Sequence, residues 1–587
     1  MEKLIQLLST IVENKFEQCG YNRSYGTVSV SNRPDLCQFQ CNGALPAAKE
    51  YKKPPFKIAQ DVVAALEDVE VFKDVSIAGP GFINLNIEDS FLIKYLKDMN
   101  NDESYGCSKS EDPNTIMIDY GGANVAKPLH VGHLRSAIIG ESIKRISRFL
   151  GHKVIGDVHL GDWGLQIGMV ISEVKRRQPD LPYFDENFTG DYPEEAPFTI
   201  SELEDIYPAA SKLAKSDETA MLEARQATFE LQKGHPGYIA LWKHILNVSV
   251  ADLKKNYGNL NVEFDLWNGE SDCQKYIDDV VNYLKDNNYT YESEGALVVD
   301  VAEESDTYTI PPFIVLKSDG ATLYSTTDLA TIWERVKEYN PDEIIYVVDK
   351  RQGLHFEQVF RCAKKTNIAS DDLKFQFLGF GTMNGKDGKP FKTREGGVMR
   401  LQDLIEIIKS HVRDKLKEND SISNEEMEDI ARIVGLSALK YGDLSNQATK
   451  DYVFDIDRFS SFEGNTGPYI LYTVVRIKSI LRKAAEENIE LDDYLLEPQS
   501  ETERDLMLKL TKFNEVIEVS HNEKAPNKVC EYIYDLSNLL NKFYHENKIL
   551  KEENLNKKKS WLELITLTKN VLETSLDLLG IETPERM

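Results

Sequence analysis

Residues Thr115–Gly151, TIMIDYGGANVAKPLHVGHLRSAIIGESIKRISRFLG, decide the fold. TIMIDYG reads as a short apolar strand, and a glycine-rich loop follows it. From Val131 onward, Leu134, Ile138, Ile139, Ile143, Ile146, Phe149 and Leu150 fall on one helical face, and Gly151 stands where a helix C-terminal glycine belongs. KVIGDVHLGDWG supplies the next strand and turn, completing a βαβ unit. His130 and His133 fall at the loop-to-helix junction, at the carboxyl end of the first strand, where open α/β sheets bind ligands. The helix amino terminus offers free N–H groups and partial positive charge to a phosphate. Gly132 allows close backbone approach and Lys127 adds fixed charge. This is a site suited to stabilising charge at a reacting phosphate. With 10 His and 34 Gly in the chain, His-x-Gly-His arises by chance roughly 0.01 times per chain. The competing reading is two surface histidines that merely cap a helix.

Further strands recur at GALVVDV, FIVLKSDGATLYS, EIIYVVD and FQFLGFG, with SDG at 318–320 as a hairpin turn. Residues 177–260 are helical and acidic, an insertion in the α/β domain. Upstream, MEKLIQLLSTIVENKFEQCG reads as an amphipathic helix ending at Gly20 rather than a signal peptide, because Glu13 and Glu17 interrupt any apolar core. PFKIAQDVVAALEDV is helical, and VSIAGPGFINLNI alternates like a strand pair around a Gly-Pro-Gly turn. After 401 helices dominate. Ser423 and Glu426 stand at capping-box spacing. The expected class is α/β: an N-terminal α+β domain (1–112), a Rossmann-type parallel-sheet catalytic domain (113–400), a helical connector (401–454) and an all-α bundle (455–587).

None of the seven cysteines forms a Cys-x-x-Cys, and the odd count argues against a disulfide framework and suits a reducing, cytoplasmic compartment. Cys37 and Cys41 lack a second ligand pair nearby, so they read as buried thiols, and no structural metal is expected. No run of about 18 apolar residues spans a membrane. The net charge of −28 argues against diffuse nucleic-acid binding, DNA included, but leaves room for a local basic patch.

HVGH resembles the HIGH signature of class I aminoacyl-tRNA synthetases. GGANVAKPLHVGHLRSAIIGESI, HLGDWGLQIG, SDGATLYSTTDLA, YVVDKRQGLHFEQVF, GKPFKTREGG and SFEGNTGPYILYTVVRI are similar, in the same order, to blocks of the arginyl-tRNA synthetases. CQFQCNGAL, AGPGFINLNI and LLGIETPERM extend the likeness to both ends. The resemblance implies arginine activation by ATP, accompanied by Mg2+, to arginyl-adenylate and pyrophosphate. Transfer to the terminal ribose of arginine tRNA follows. The family typically requires the tRNA for the first step, and its members are by default monomers.

The resemblance assigns His130, Gly132 and His133 to ATP. GKDGKPFKTREGG (385–397) takes the place of the second signature, KMSK, but Pro390-Phe391-Lys392-Thr393 stand there instead. Lys386, Lys389, Lys392 and Arg394 are the candidates to meet the pyrophosphate, and Lys127 fits a compensating lysine. The alternative is a solvated basic hairpin. A guanidinium substrate demands a paired carboxylate. The resemblance gives Tyr324, Asp328, Gln352 and Glu270 to the arginine side chain, and Asn124 with the backbone near Ala123 to its amino-acid end. Tyr324 and Asp328 are expected where a strand ATLYS turns into a helix. Asp162, Trp163 and Gln166 mark the family without an evident chemical role, and His159 either meets the substrate amino group or packs. Asn465, Tyr469, Tyr472 and Arg476 would read the anticodon, unless they form a core stripe. Asn32, Phe39, Gln40 and Asn42 would touch the tRNA corner. NKKKS (556–560) reads as a solvated loop.

Three competitors remain, one of them a class I synthetase for a different amino acid, against which Asp328 and Glu270 argue because a cationic substrate explains buried carboxylates. Small nucleotidylyltransferases share His-x-Gly-His but are far shorter. A paralogue kept for binding alone would be expected to lose His130, His133 and the pocket carboxylates.

Overall fold

The computed structural model describes residues 1–391, 399–416, 423–491 and 494–587. Its centre is a parallel sheet in the order Lys374–Phe380, Glu343–Asp349, Thr115–Asp119, Lys153–Asp157. The strands Thr115–Asp119 and Glu343–Asp349 are covered on both faces, which is why both read as nearly unbroken apolar runs. From Thr115–Asp119 the chain first crosses to Lys153–Asp157, then returns on the opposite side at Glu343. The reversal of strand order opens a crevice at the carboxyl ends.

The signature helix, Val131–Phe149, covers this sheet. Leu134, Ile138, Ile139, Ile143 and Ile146 are buried as their spacing predicts, and Gly151 takes the left-handed turn at φ 87°. The helix lies unusually close to the strand end: a Cβ on Gly140 would stand 2.3 Å from the Tyr120 ring. Ser136 pins the approach. Its hydroxyl accepts from the Gly121 N–H at 2.7 Å and donates to the Val347 carbonyl at 2.6 Å.

Helices Ile200–Ser216, Glu218–Gln232 and Pro236–Asn259 fill the later part of the stretch 177–260 expected to be helical, the first opened by a Thr199–Glu202 capping box. An antiparallel sheet follows, Tyr291–Ser293, Ala296–Val299 and Phe313–Leu316. Here the sequence reading needs correction. The turn at 318–320 forms, with Gly320 at φ 80° and the Lys317 N–H donating to Ala321. ATLYS, however, is not a strand, because helix Tyr324–Tyr339 has already begun. Ser325 and Thr326 donate their hydroxyls to the Ile314 and Val315 carbonyls at 2.7 and 2.6 Å. They take up carbonyls beside which a second strand would have paired.

Arg335, on that helix, lies fully buried between two sheet strands. One of its terminal nitrogens donates to Asp119 and to Asp157, both at 2.7 Å. Both acids end neighbouring strands, so one guanidinium ties the helix to the carboxyl edge of the sheet.

The N-terminal sheet is antiparallel, ordered Val28–Val30, Phe39–Cys41, Phe82–Ile87, Phe72–Ala78, and carries helices Leu4–Gln18 and Pro55–Leu66. All seven cysteines are free, and Cys37 and Cys41 are buried. Beyond Leu401 the described chain is almost entirely helical, with helices up to Leu555–Leu578. Ser423 caps helix Asn424–Leu444, its side chain accepting from the Glu426 N–H. NKKKS is not a loop but the first turn of the last helix, capped by Asn554. No helix among the described residues is long and apolar enough to cross a membrane.

Replacing Arg335 by Met leaves two adjacent buried carboxylates without their cation. Breaking such a pair costs about 3–5 kcal/mol. Urea unfolding of Arg335→Met should show a loss of that order; a loss below about 1 kcal/mol would mean that the clamp does not hold the helix to the sheet.

Candidate active site

At the amino end of the signature helix the two histidines do two things at once. His130 Nδ1 accepts from the Gly132 N–H at 3.0 Å, and His133 Nδ1 accepts from the His130 N–H at 3.1 Å. Helix capping is therefore real. It also fixes the tautomer: with both Nδ1 atoms accepting, each ring proton sits on Nε2. The rings lie 3.9 Å apart. Burial pushes the His133 pKa down to about 3, and burial with nearby Lys127 lowers that of His130. Both are neutral Nε2–H donors at neutral pH. A Cβ on Gly132 would stand 2.8 Å from His130 Cε1, so this glycine keeps the ring in place. Lys127 lies 4.7 Å from the centroid of the Tyr207 ring of the insertion.

Beside them a cavity of about 210 Å³ is lined by His130, Gly132, Arg135, Asp349, Arg351 and the segment Phe380–Met383. It sits at the crevice where strand order reverses. Asn384 bridges to Pro390, and Gly388 turns at φ 72°, so the described part of the basic loop is a hairpin. Lys386 is directed to Asp455 and Asp457 at 3.2 and 3.5 Å, while Lys389 is exposed. Lys392 and Arg394 lie outside the described residues. After the loop, residues 399–401 return to the signature: Met399 accepts from the Val131 N–H, and the Leu401 N–H donates to Leu129.

Acidic groups gather on the other side of the crevice. Tyr324 and Asp328 lie one helical turn apart in the first turns of their helix, and Tyr324 is 70% exposed. Asp328 Oδ2 lies 2.5 Å from His355 Nε2, a partner that sequence reasoning missed although His355 sits in the quoted block RQGLHF. Gln352, three residues earlier, is exposed. Glu270 belongs to the turn WNGES. The LGDWG turn holds it: the Glu270 N–H donates to Leu160 and the Leu160 N–H donates to Asn268. Buried Asp162 accepts from the Ser271 N–H and hydroxyl at 2.9 and 2.6 Å. Asp162 is thus the brace of the Glu270 turn. Trp163 packs edge-on against Trp242, whose indole N–H donates to the Asp162 carbonyl. Gln166 donates to the Gly161 carbonyl at 2.5 Å.

Asn124 joins this wall through a bridge to Gly161. Burial pushes the Glu270 carboxyl up to about 7; His159 opposes the rise, while Asp162 and Asp328 add to it. Among the described residues no lysine or arginine pairs with Glu270.

Asp119, Asp157 and His159 bring ligand atoms within 4.8 Å of one another, but the Arg335 guanidinium already joins the two carboxylates. His159 has a left-handed backbone (φ 40°) and neither ring nitrogen is hydrogen-bonded.

In the helical bundle, Tyr469, Tyr472 and Arg476 do not form a core stripe. Tyr472 is 42% exposed, with the Arg476 guanidinium 4.7 Å over its ring. Tyr469 donates to Asn538, and Arg476 donates to Asn541. Exposed Asn465 accepts from Tyr441. At the N-terminal domain Asn32 and Asn42 are exposed and Gln40 donates to Asn84. Phe39 is 4% exposed, a core residue of its strand, and is not available to a nucleic-acid base. Its strand alternation turns it inward.

The chain matches three families: "Arginyl tRNA synthetase N terminal domain" over residues 3–87, "tRNA synthetases class I (R), catalytic domain" over 96–456, and "DALR anticodon binding domain" over 470–587. It is 71% identical over its whole length to the arginine–tRNA ligase of Alkaliphilus oremlandii, covering all of that protein. It is 58% identical to that of Agathobacter rectalis, again with both chains fully covered. Its structure superposes on the arginyl-tRNA synthetase of Plasmodium falciparum with a TM-score of 0.82 at 27% identity, covering both chains entirely. The paired histidines at the switch point, the carboxylate pocket and these likenesses agree: the chain belongs to the arginyl-tRNA synthetase family of class I and is an arginine–tRNA ligase.

Proposed function

We propose the following division of labour for arginine activation and transfer. The enzyme joins the arginine carboxylate to the α-phosphorus of ATP, releasing pyrophosphate, and then passes the arginyl group to the 3'-terminal adenosine of arginine tRNA. ATP lies along the crevice, its adenosine in the cavity beside Gly132 and its phosphates at the helix amino terminus. His130 and His133 donate from Nε2 to phosphoryl oxygens as charge builds at the α-phosphorus. Being neutral, they donate without repelling Lys127, whose charge stands on the same side. ATP would bring Mg2+ as its counter-ion, which would supply neutralisation of phosphate charge. Lys386, Lys389, Lys392 and Arg394 are the loop cations for the leaving pyrophosphate. For Lys386 this requires release from Asp455 and Asp457.

The arginine guanidinium fits between Asp328 and Glu270 with Tyr324 at its side, and Gln352 lies at the rim. Asn124 holds the amino-acid end. One observation supports this reading: Glu270 and Asp328 lie near enough for the one to raise the other, burial holds Glu270 up to about 7, and among the described residues no lysine or arginine pairs with it. The exposed Tyr472–Arg476 pair and Asn465 suit the anticodon loop, and Asn32, Gln40 and Asn42 suit the tRNA corner, through stacking and phosphate contact. The free thiols suit a reducing, cytoplasmic compartment, and monomer is the family's default state.

Asp328→Ala should raise the KM for arginine about a hundredfold, the cost of a charged pair lost from a partly buried pocket, while the KM for ATP changes little. An unchanged arginine KM removes the assignment. Gly132→Ala forces a Cβ against His130, and pyrophosphate exchange should show the KM for ATP raised with that for arginine held. Equal rises in both would contradict the placing of adenosine there.

The Glu270 carboxyl takes up a proton in the free enzyme as pH falls through about 7. A guanidinium binds the charged form, so the KM for arginine should be flat above that pH. Below it, the KM should climb towards tenfold per pH unit. Glu270→Gln should give a high KM without that break; a break that survives the substitution belongs to another group.

A further inference from the structure

Arg135 stands two residues beyond His133 and is 1% exposed. It lies between the two walls of the 210 Å³ cavity. Its own helix supplies one wall, His130 and Gly132. The other wall is the segment Phe380–Met383, and one Arg135 Nη1 proton is spent on it: Nη1 donates to the Gly381 carbonyl at 2.6 Å and to the Lys450 carbonyl at 3.0 Å. Nε faces the Asp443 carboxylate at 3.0 Å. Asp443 is itself fully buried, accepts from the Tyr452 hydroxyl at 2.7 Å, and belongs to helix Asn424–Leu444. The guanidinium carbon lies 5.0 Å from the centroid of the Tyr452 ring. Nη2 is buried without a hydrogen-bond partner.

The far wall is tied from behind by hydrogen bonds. The Gly381 N–H donates to Ala448, the Thr382 N–H to Asp451, and Thr382 accepts from the Tyr452 N–H. A Cβ on Gly381 would collide with the Lys450 backbone at 2.4 Å. The residues that face the nucleotide cavity are therefore held from behind by 448–452, and Arg135 is the side chain that fixes this assembly to the signature helix. A buried, multiply bonded guanidinium of this kind sets a distance between two elements in the way a single ammonium cannot.

We propose that Arg135, anchored by Asp443, is a positioning residue of the nucleotide site. It sets the separation between the signature helix and the Gly381–Met383 wall, and through Asp443 it makes that separation depend on the helix that leads to the anticodon-binding bundle. The inference rests on the reading that this cavity takes the adenosine of ATP.

The test is pyrophosphate exchange with arginine and cognate tRNA, using Arg135→Lys, Tyr452→Phe and Gly132→Ala. Arg135→Lys keeps the charge but loses the fork. It should raise the KM for ATP about tenfold and leave the KM for arginine within about twofold. Tyr452→Phe keeps the ring and removes the hydrogen bond to Asp443. It should give a smaller rise in the same direction, and it decides the matter if Arg135→Lys does not fold. Folded variants with an unchanged ATP KM, or with ATP and arginine KM raised together, overturn the proposal. If Gly132→Ala alone raises the ATP KM, the cavity assignment stands and the role of Arg135 fails. If none of the three does, the cavity assignment fails with it.

Discussion

The Arg335 guanidinium, gripped by Asp119 and Asp157, is the interaction on which the site geometry depends. Two parallel strands end in carboxylates that would repel each other at the mouth of the crevice. The helix that carries Tyr324 and Asp328 supplies the cation that makes them compatible. Burial makes this pairing demanding, because either partner alone would be an uncompensated charge in a dry interior. The same ion pair that closes the sheet edge therefore also fixes the angle at which the specificity helix meets it. Arg135 and Asp443 repeat the device on the nucleotide side. Each half of the crevice is set by one buried arginine.

The chemistry follows from what these constraints leave unused. The signature histidines spend Nδ1 on capping and keep Nε2–H for a ligand. The arginine wall is the reverse case. Glu270 is braced by its backbone and by Asp162, and among the described residues no lysine or arginine pairs with its carboxylate. In the proposed reading a positively charged substrate would complete it. In the proposed reading the nucleotide and the amino acid would meet at Asn124, Gly132 and the open end of the first strand, where the carboxylate of one substrate must reach the α-phosphorus of the other.

Much of this was legible because local patterns carry it. The helical stripe from Leu134 to Ile146, the Gly151 stop and the order of blocks along the chain all depend on neighbours within a few residues. The failures have a common cause. ATLYS has strand-like residues, yet Ser325 and Thr326 bond to carbonyls of Phe313–Leu316 and draw the helix start back to Tyr324. Phe39 lay in a family-like stretch, but strand alternation buries it. Arg335, Arg135 and the Asp162 brace act across separations of roughly 100 to more than 300 residues, and no periodicity announces such pairs. His355 was in plain view, but nothing in its spacing pointed to Asp328. The two readings offered for the histidines, capping or chemistry, turned out to be compatible, since a ring has two nitrogens.

The central claim is that paired carboxylates select a cation, and the most direct test compares arginine with citrulline in tRNA-supported ATP–pyrophosphate exchange. Citrulline has nearly the same shape but a neutral urea in place of the guanidinium. Exchange with arginine and none above background with citrulline, even at high concentration, is the predicted result. Citrulline exchange within about tenfold of arginine would mean that shape, and not Asp328 and Glu270, selects the substrate.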